Sequence, residues 1–222
     1  NLTLFTFGGD YGLFTHIQQY LYLYIPLLTM GLMSRELSSG SIKLLYSSPV
    51  TNKEIVLGKY FAMLVYGLVL IGILAIYVLY SACTIKAFDF TVALSGLLGL
   101  YLLICAYASI GLFMSSLTSY QVVSAMGTLA ILAALSLVRG MWQDIEFVRD
   151  ITYWLSINGR ADEFVNGLIC SEDILYFLIV IALFLTLTIL RLQVIRQKTS
   201  WTIAWGRYIG VFLIAIVLGY CS

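Results

Sequence analysis

The chain has 222 residues, of which 61% are hydrophobic and only 10% are charged, and its mean hydropathy is +0.98. Soluble domains carry about 25% charged residues, so this composition indicates a membrane protein without a sizeable soluble domain. The net charge of +1 gives no support for nucleic-acid binding. The four cysteines form no C-x-x-C pair and have no metal-ligand spacing, which makes a zinc or iron-sulfur site improbable.

Long runs without charged residues predict the membrane spans. A transmembrane helix needs about 20 apolar residues, and we expect five complete spans near 12–33, 56–81, 92–114, 121–138 and 174–190. The third and fourth of these spans belong to one charge-free run, which breaks at the polar cluster 115–121, and we expect a tight turn there. The predicted fold is all-α: a polytopic transmembrane helix bundle.

The distribution of positive residues predicts the orientation. Loops 35–59, 115–121 and 191–207 carry eight Lys or Arg against two acids, whereas the opposite loops carry four against nine. Positive loops stay in the cytoplasm, so residue 1 is expected on the extracytoplasmic side. We therefore divide the chain into a transmembrane domain, 1–192, and a basic cytoplasmic linker with a truncated hydrophobic segment, 193–222. A further span is expected before residue 1, which makes the sequence a fragment.

The cytoplasmic loop between the first two spans shows the clearest local signals. Thr51 and Glu54 have the spacing of a capping box, in which each side chain bonds the other's backbone N–H at a helix start. Between Gly40 and Pro49, a short amphipathic helix is predicted, with one face formed by Ile42, Leu45 and Tyr46. This helix either docks on a partner, with Glu36 as a further contact, or only anchors a solvated loop to the membrane surface.

The extracytoplasmic loop 140–173 is expected to form short helices on the outer surface, because apolar residues recur at helical spacing from 145 to 155 and again from 164 to 169. These helices either gate a translocation path or pack at the interface without such a role. No catalytic, metal-binding or cofactor-binding constellation is visible. No Asp, Glu, Lys or Arg lies near the middle of a predicted span, which disfavours a proton-coupled carrier.

Several segments together resemble a known family. They are Pro26–Met30, Glu36, Ser39–Ile42, Leu44–Leu45, Ser47–Val50, Ile55–Tyr60, Gly111–Phe113, Ser115–Thr118 and Gln121–Val123. In this order they resemble the permeases of ABC-2 type transporters, in particular the branch associated with bacterial gliding motility.

The resemblance implies a coupling loop that meets a cytoplasmic ABC ATPase, and a tight turn between two spans. The coupling-loop residues would be Glu36, Gly40, Ile42, Leu45, Tyr46, Pro49, Thr51 and Glu54; the turn residues would be Ser115, Ser116, Thr118 and Gln121. The chain would be a multi-pass protein of the bacterial inner membrane, paired with a second permease copy or a related permease. ATP would bind the partner subunit only, so this chain would be no enzyme and would hold no cofactor.

Two functions remain open at this stage. The chain is either the membrane subunit of an ATP-driven exporter or a non-transporting scaffold that anchors a larger complex. A structured docking loop on the cytoplasmic side favours the exporter, whereas a sealed bundle with no polar path would favour the scaffold.

Overall fold

The computed structural model describes residues 6–7, 12–47, 50–85, 88–137, 171–197 and 210. Every regular element in these ranges is a helix. The main helices are α1 (Leu13–Thr29), α2 (Gly31–Ser39), α3 (Ile42–Ser47), α4 (Asn52–Thr84), α5 (Phe90–Leu117), α6 (Gln121–Leu137) and α7 (Ser171–Gln197). The predicted outer helices between 145 and 169 lie outside the described residues. The terminal segment from 198 onward, apart from residue 210, lies outside them as well.

Three of these helices, α4, α5 and α7, are long and apolar enough to cross a membrane. Helix α6 is equally apolar but has only 17 residues. Long apolar helices satisfy all their backbone hydrogen bonds internally, which is the condition for spanning a bilayer. The prediction of an all-α transmembrane helix bundle is confirmed.

The helix ends differ from the predicted span ends. Helix α4 starts at Asn52 and ends at Thr84, beyond both ends of the predicted span 56–81, because a cap rather than hydropathy sets where the helix starts. The predicted span 12–33 is divided at Met30, where α1 ends and α2 begins. The assignment of five spans to residues 1–192 stays a prediction.

Helix α5 is the centre of the bundle. It contacts α1, α2, α4, α6 and α7, and most of its length is buried. Small residues permit this packing: a Cβ added at Gly96 would collide with the ring of Phe14, and one added at Gly111 would collide with Thr29. Close helix approach at small residues is the usual way in which membrane helices associate, since lipid offers no hydrophobic drive between them.

Helix α4 has the opposite character, because most of its apolar surface is exposed in the described chain. Its inward side packs on α5, where the Tyr60 hydroxyl donates to the carbonyl oxygen of Cys105 at 3.2 Å. The exposed side carries large aliphatic residues such as Ile73 and Ile76. Such a surface suits contact with lipid rather than water.

Candidate coupling site

The short helix predicted between Gly40 and Pro49 is present as α3. Helix α2 ends at Gly40, whose φ of 74° is left-handed and favours glycine. The carbonyl of Gly40 accepts from the N–H of Lys43 at 3.1 Å, which closes the first turn of the new helix. The hydroxyls of Ser39 and Ser41 hydrogen bond at 2.8 Å across this corner. Gly40 therefore produces a sharp bend between α2 and α3.

The predicted contact residues of this loop have different surroundings. Ile42 is only 7% exposed, whereas Leu44, which the sequence analysis did not select, is 74% exposed. Ile42 therefore faces its own bundle, and among the described side chains of α3 Leu44 is an apolar one that faces outward. The side chains of Leu45 and Tyr46, and all of Pro49, lie outside the described residues. The coupling role of these residues stays a prediction.

Ile42 belongs to a buried apolar cluster that joins the loop to the bundle, here termed the coupling cluster. Its buried members are Met33, Ile42, Ile55, Val56, Tyr60, Met63, Ala108, Leu112 and Leu192. These residues come from five helices: α2, α3, α4, α5 and α7. Burying side chains such as Ile or Met stabilises by about 1.5–3 kcal/mol each, so α3 is held on the bundle by packing and not only by the chain at its two ends.

The predicted capping box is confirmed at the start of α4. The N–H of Thr51 donates to Glu54 Oε2 at 2.7 Å, and the N–H of Glu54 donates to Thr51 Oγ1 at 3.3 Å. The Thr51 N–H lowers the pKa of Glu54, a group in the first turn ahead of the predicted span. The carboxylate is thus ionised and keeps its cap near neutral pH. The chain entering α4 is fixed in direction.

A charged pair joins α2 to α4. Lys59 Nζ donates to Glu36 Oε1 at 2.5 Å and to the carbonyl oxygen of Leu32 at 2.5 Å. Both side chains are about three-quarters buried, so the pair is less screened than an ion pair on an open surface. Glu36, which the sequence analysis proposed as a partner contact, therefore has a partner within its own chain.

A second polar contact joins α7 to the same region. Arg196 Nη1 donates to the carbonyl oxygen of Val50 at 3.3 Å and to Asn52 Oδ1 at 3.2 Å. These groups lie more than 140 residues apart along the chain. Nothing local in the sequence indicated the pairing; the only signal was that Arg196 and the 34–59 loop fall on the same predicted side of the membrane.

The turn residues also contact this region, and Ser115 does so most directly. Its Oγ accepts from the N–H groups of Met33 at 2.9 Å and Ser34 at 3.0 Å, and it donates to the carbonyl oxygen of Met30 at 3.0 Å. The hydroxyl thus replaces helical hydrogen bonds at the break between α1 and α2. A side chain inserted in the helical ladder is a recognised cause of a helix break, and Pro26 precedes it by one turn.

The other predicted turn residues have local roles. Ser116 is buried and donates to the carbonyl of Phe113 at 2.6 Å, within its own helix. Thr118 Oγ1 accepts from the N–H of Tyr120 at 3.2 Å, and Gln121 begins α6. The tight turn is therefore present at residues 118–120. Ser115 is the turn residue that contacts the coupling loop's side of the bundle.

The described polar groups of this region make contacts between helices. In the described part of the chain no three His, Cys, Asp or Glu side chains come together as metal ligands. The polar groups instead hold helices to one another: α2 to α4, α2 to α5, and α7 to the start of α4. Helix α3 itself contacts the long helices through the packed side chains of the coupling cluster.

Comparison with known proteins agrees with this architecture. The family model described as ABC-2 family transporter protein matches residues 17–195, which include all seven helices apart from the first turn of α1 and the last residues of α7. Comparisons with curated proteins and with solved structures give no match. The matched region includes the α2–α3 corner, the cap of α4 and the turn at 118–120. This chain belongs to the ABC-2 transporter family.

Proposed function

We propose that this chain is the permease subunit of an ATP-driven exporter, and that α2, α3 and the start of α4 receive the movement of a separate cytoplasmic ATPase. A second permease copy or a related permease completes the transporter, which resides in a bacterial inner membrane. Residues 34–59 and 191–207 face the cytoplasm in this proposal, and residue 1 and the 140–173 loop face the opposite side. ATP binds and is hydrolysed on the partner.

The observation that carries the proposal is the two-sided placement of α3. Ile42 is buried in the coupling cluster, which includes residues of α4, α5 and α7, while Leu44 is exposed. A helix that transmits movement needs one side for the partner and another fixed to the elements that it moves. A loop that only anchored the chain at a membrane surface would not need packing against three long helices.

The polar contacts also support a role for this region in transmitting movement. Lys59 bonds both Glu36 and the Leu32 carbonyl, and Arg196 bonds Val50 and Asn52. Together they join the two ends of the segment 32–59 to each other and join its residues 50 and 52 to α7. Because packed interfaces shift between discrete arrangements rather than deforming smoothly, such a unit moves as one body.

Substitution of Leu44 by Asp tests the coupling role. The side chain is exposed, so the variant should fold and insert as wild type, but a charge in an apolar docking contact should weaken ATPase binding by about tenfold or more. The measurements are co-purification of the ATPase and stimulation of its activity in proteoliposomes. Tyr120→Asp, at 75% exposure in the turn after α5, is the control.

Two results would overturn the proposal. One is a Leu44→Asp variant that binds and stimulates the ATPase as wild type does, which would leave the loop as a surface anchor. The other is ATP hydrolysis by the purified chain without any partner. The orientation has its own test: an impermeant thiol reagent should not label Lys43→Cys in intact cells when the native cysteines, including exposed Cys83, have been replaced.

A further inference from the structure

Two neighbouring cavities lie between α1–α2 and α4, and they differ sharply in chemistry. The first, of about 310 Å³ and here termed the head pocket, is lined by Arg35, Glu36 and Lys59 together with Leu27 and Leu28. The second, of about 430 Å³ and here termed the tail groove, is lined almost wholly by apolar side chains of α1 and α4. Leu27 lines both, so the two cavities are adjacent.

The head pocket carries one positive charge in excess. Lys59 is paired with Glu36, but Arg35 has no ion-pair partner among the described residues. The Arg35 side chain lies over Gly31, where an added Cβ would meet its Nε at 2.9 Å, so the glycine leaves room for this placement. Arg35 is therefore available to an anionic group, for which its planar guanidinium offers several donors.

The same pocket also contains an unsatisfied acceptor. Glu36 Oε2 is buried and has no hydrogen-bond partner in the described chain, although Oε1 is bonded to Lys59. A buried carboxylate oxygen without a donor is costly, so a ligand that supplies a hydroxyl proton there would be favoured. A ligand complementary to this pocket therefore has one negative charge and at least one hydrogen-bond donor.

The tail groove has the length of one bilayer leaflet. On α1 it runs from Leu27 to Ile17, which is about 15 Å at the helical rise of 1.5 Å per residue. Half of a hydrocarbon core of about 30 Å is also about 15 Å. Tyr24 lines this groove, and its hydroxyl hydrogen bonds to the hydroxyl of Tyr66 on α4.

We propose that the head pocket and the tail groove together bind one anionic glycerophospholipid, phosphatidylglycerol, from the leaflet on the Arg35 side. The phosphate pairs with Arg35, a headgroup hydroxyl donates to Glu36 Oε2, and one acyl chain lies in the tail groove. An ethanolamine lipid would also donate to Glu36, but its zwitterionic headgroup leaves the excess positive charge unbalanced. This site shares Glu36 and Lys59 with the proposed coupling region, but lipid binding and ATPase stimulation are separate measurements, so either proposal can fail without the other.

Native mass spectrometry of the full-length protein in mild detergent tests the site, with phosphatidylglycerol, phosphatidylethanolamine and phosphatidylcholine of identical acyl chains. We expect one saturable phosphatidylglycerol, bound about tenfold more tightly than either other lipid, since one charge-assisted bond is of that order. Arg35→Gln should weaken phosphatidylglycerol binding about tenfold, because it removes that charge-assisted bond. Lys43→Gln, which removes an exposed cation from α3, should leave it unchanged.

A second pair of variants tests the groove. Ile73 lines it and Ile76 does not, although both are exposed aliphatic residues on α4, one turn apart. Ile73→Trp should fill the groove and weaken phosphatidylglycerol binding, and Ile76→Trp should not. Equal weakening by Arg35→Gln and Lys43→Gln would show diffuse attraction and overturn the proposal. So would equal affinity for the ethanolamine lipid, wild-type binding by Arg35→Gln, or wild-type binding by Ile73→Trp.

Discussion

Replacement of Ser115 by alanine is the sharpest test of how the coupling side is held together. The Ser115 hydroxyl accepts two backbone N–H groups, from Met33 and Ser34, and both lie in a buried part of α2. Alanine removes the acceptor and leaves both donors without a partner. The helix cannot simply close its break, because Thr29 is fixed against Gly111 on α5.

The expected destabilisation is about 2 kcal/mol. Orphaned buried donors cost about 1–3 kcal/mol each in soluble proteins. Hydrogen bonds between membrane helices contribute on average only about 0.6 kcal/mol each. On that scale the three hydrogen bonds of Ser115 together contribute about 2 kcal/mol. The carbonyl of Met30 adds little to the cost, since the hydroxyl of Ser34 also donates to it.

Ser116→Ala is the matched control. Ser116 is the next residue, is equally buried, and loses the same atom, but its hydroxyl bonds only the Phe113 carbonyl of its own helix. We expect Ser116→Ala to destabilise the protein by about 0.5 kcal/mol or less, because the Phe113 carbonyl keeps its backbone donor. Reversible unfolding in mixed detergent micelles, followed by far-UV circular dichroism, measures both free energies. Equal losses for the two variants would refute the bridging role of Ser115.

Three further predictions concern other contacts of this region. Gly111→Ala should destabilise the protein by about 1–3 kcal/mol, because the added methyl group overpacks the contact with Thr29. Gly72→Ala is the control: its added Cβ meets nothing, so it should be neutral or stabilise by up to about 1 kcal/mol. Thermal unfolding compares the two variants. Lys59→Met should reduce ATPase stimulation more than Lys53→Met, because Lys59 hydrogen bonds to α2. Equal reductions by the two variants would argue against a role for the Lys59–Glu36 pair. Thr51→Ala should lower the free energy of unfolding, measured by denaturant titration, by about 1 kcal/mol, because it removes the cap. Thr51→Ser keeps a hydroxyl and should retain the cap. A serine variant as unstable as the alanine variant would contradict the capping role of Thr51.

The parts of the structure that could be predicted from the sequence are those set by local chemistry. The capping box at Thr51 and Glu54 needs only neighbouring residues, and the turn after Leu117 follows from a polar cluster in an apolar run. The break at Met30 was not predicted. Its cause includes Ser115, which lies 81 residues from Ser34, and sequence periodicity contains no information about such a distant partner.

The orientation of α3 illustrates a second limit. Its apolar pattern correctly predicted a helix, but an apolar side chain packs equally well against another protein or against its own chain. The structure places Ile42 in the coupling cluster and leaves Leu44 exposed, whereas the pattern had put Ile42 on the face for the partner. Charge counting likewise grouped Arg196 with the 34–59 loop on one side of the membrane but could not pair it with Val50 and Asn52.

The length of α4 has a consequence for how movement passes through the membrane. Its 33 residues measure about 50 Å, against about 30 Å of hydrocarbon. Even at the upper tilt of about 40° seen for membrane helices, it would extend about 38 Å along the bilayer normal, so at least one turn stands outside the hydrocarbon. Because the helix is uninterrupted from its Thr51 cap, a rigid tilt displaces the capped end over the full helix length. A tilt of about 10° around the far end sweeps the capped end sideways by about 9 Å over this length.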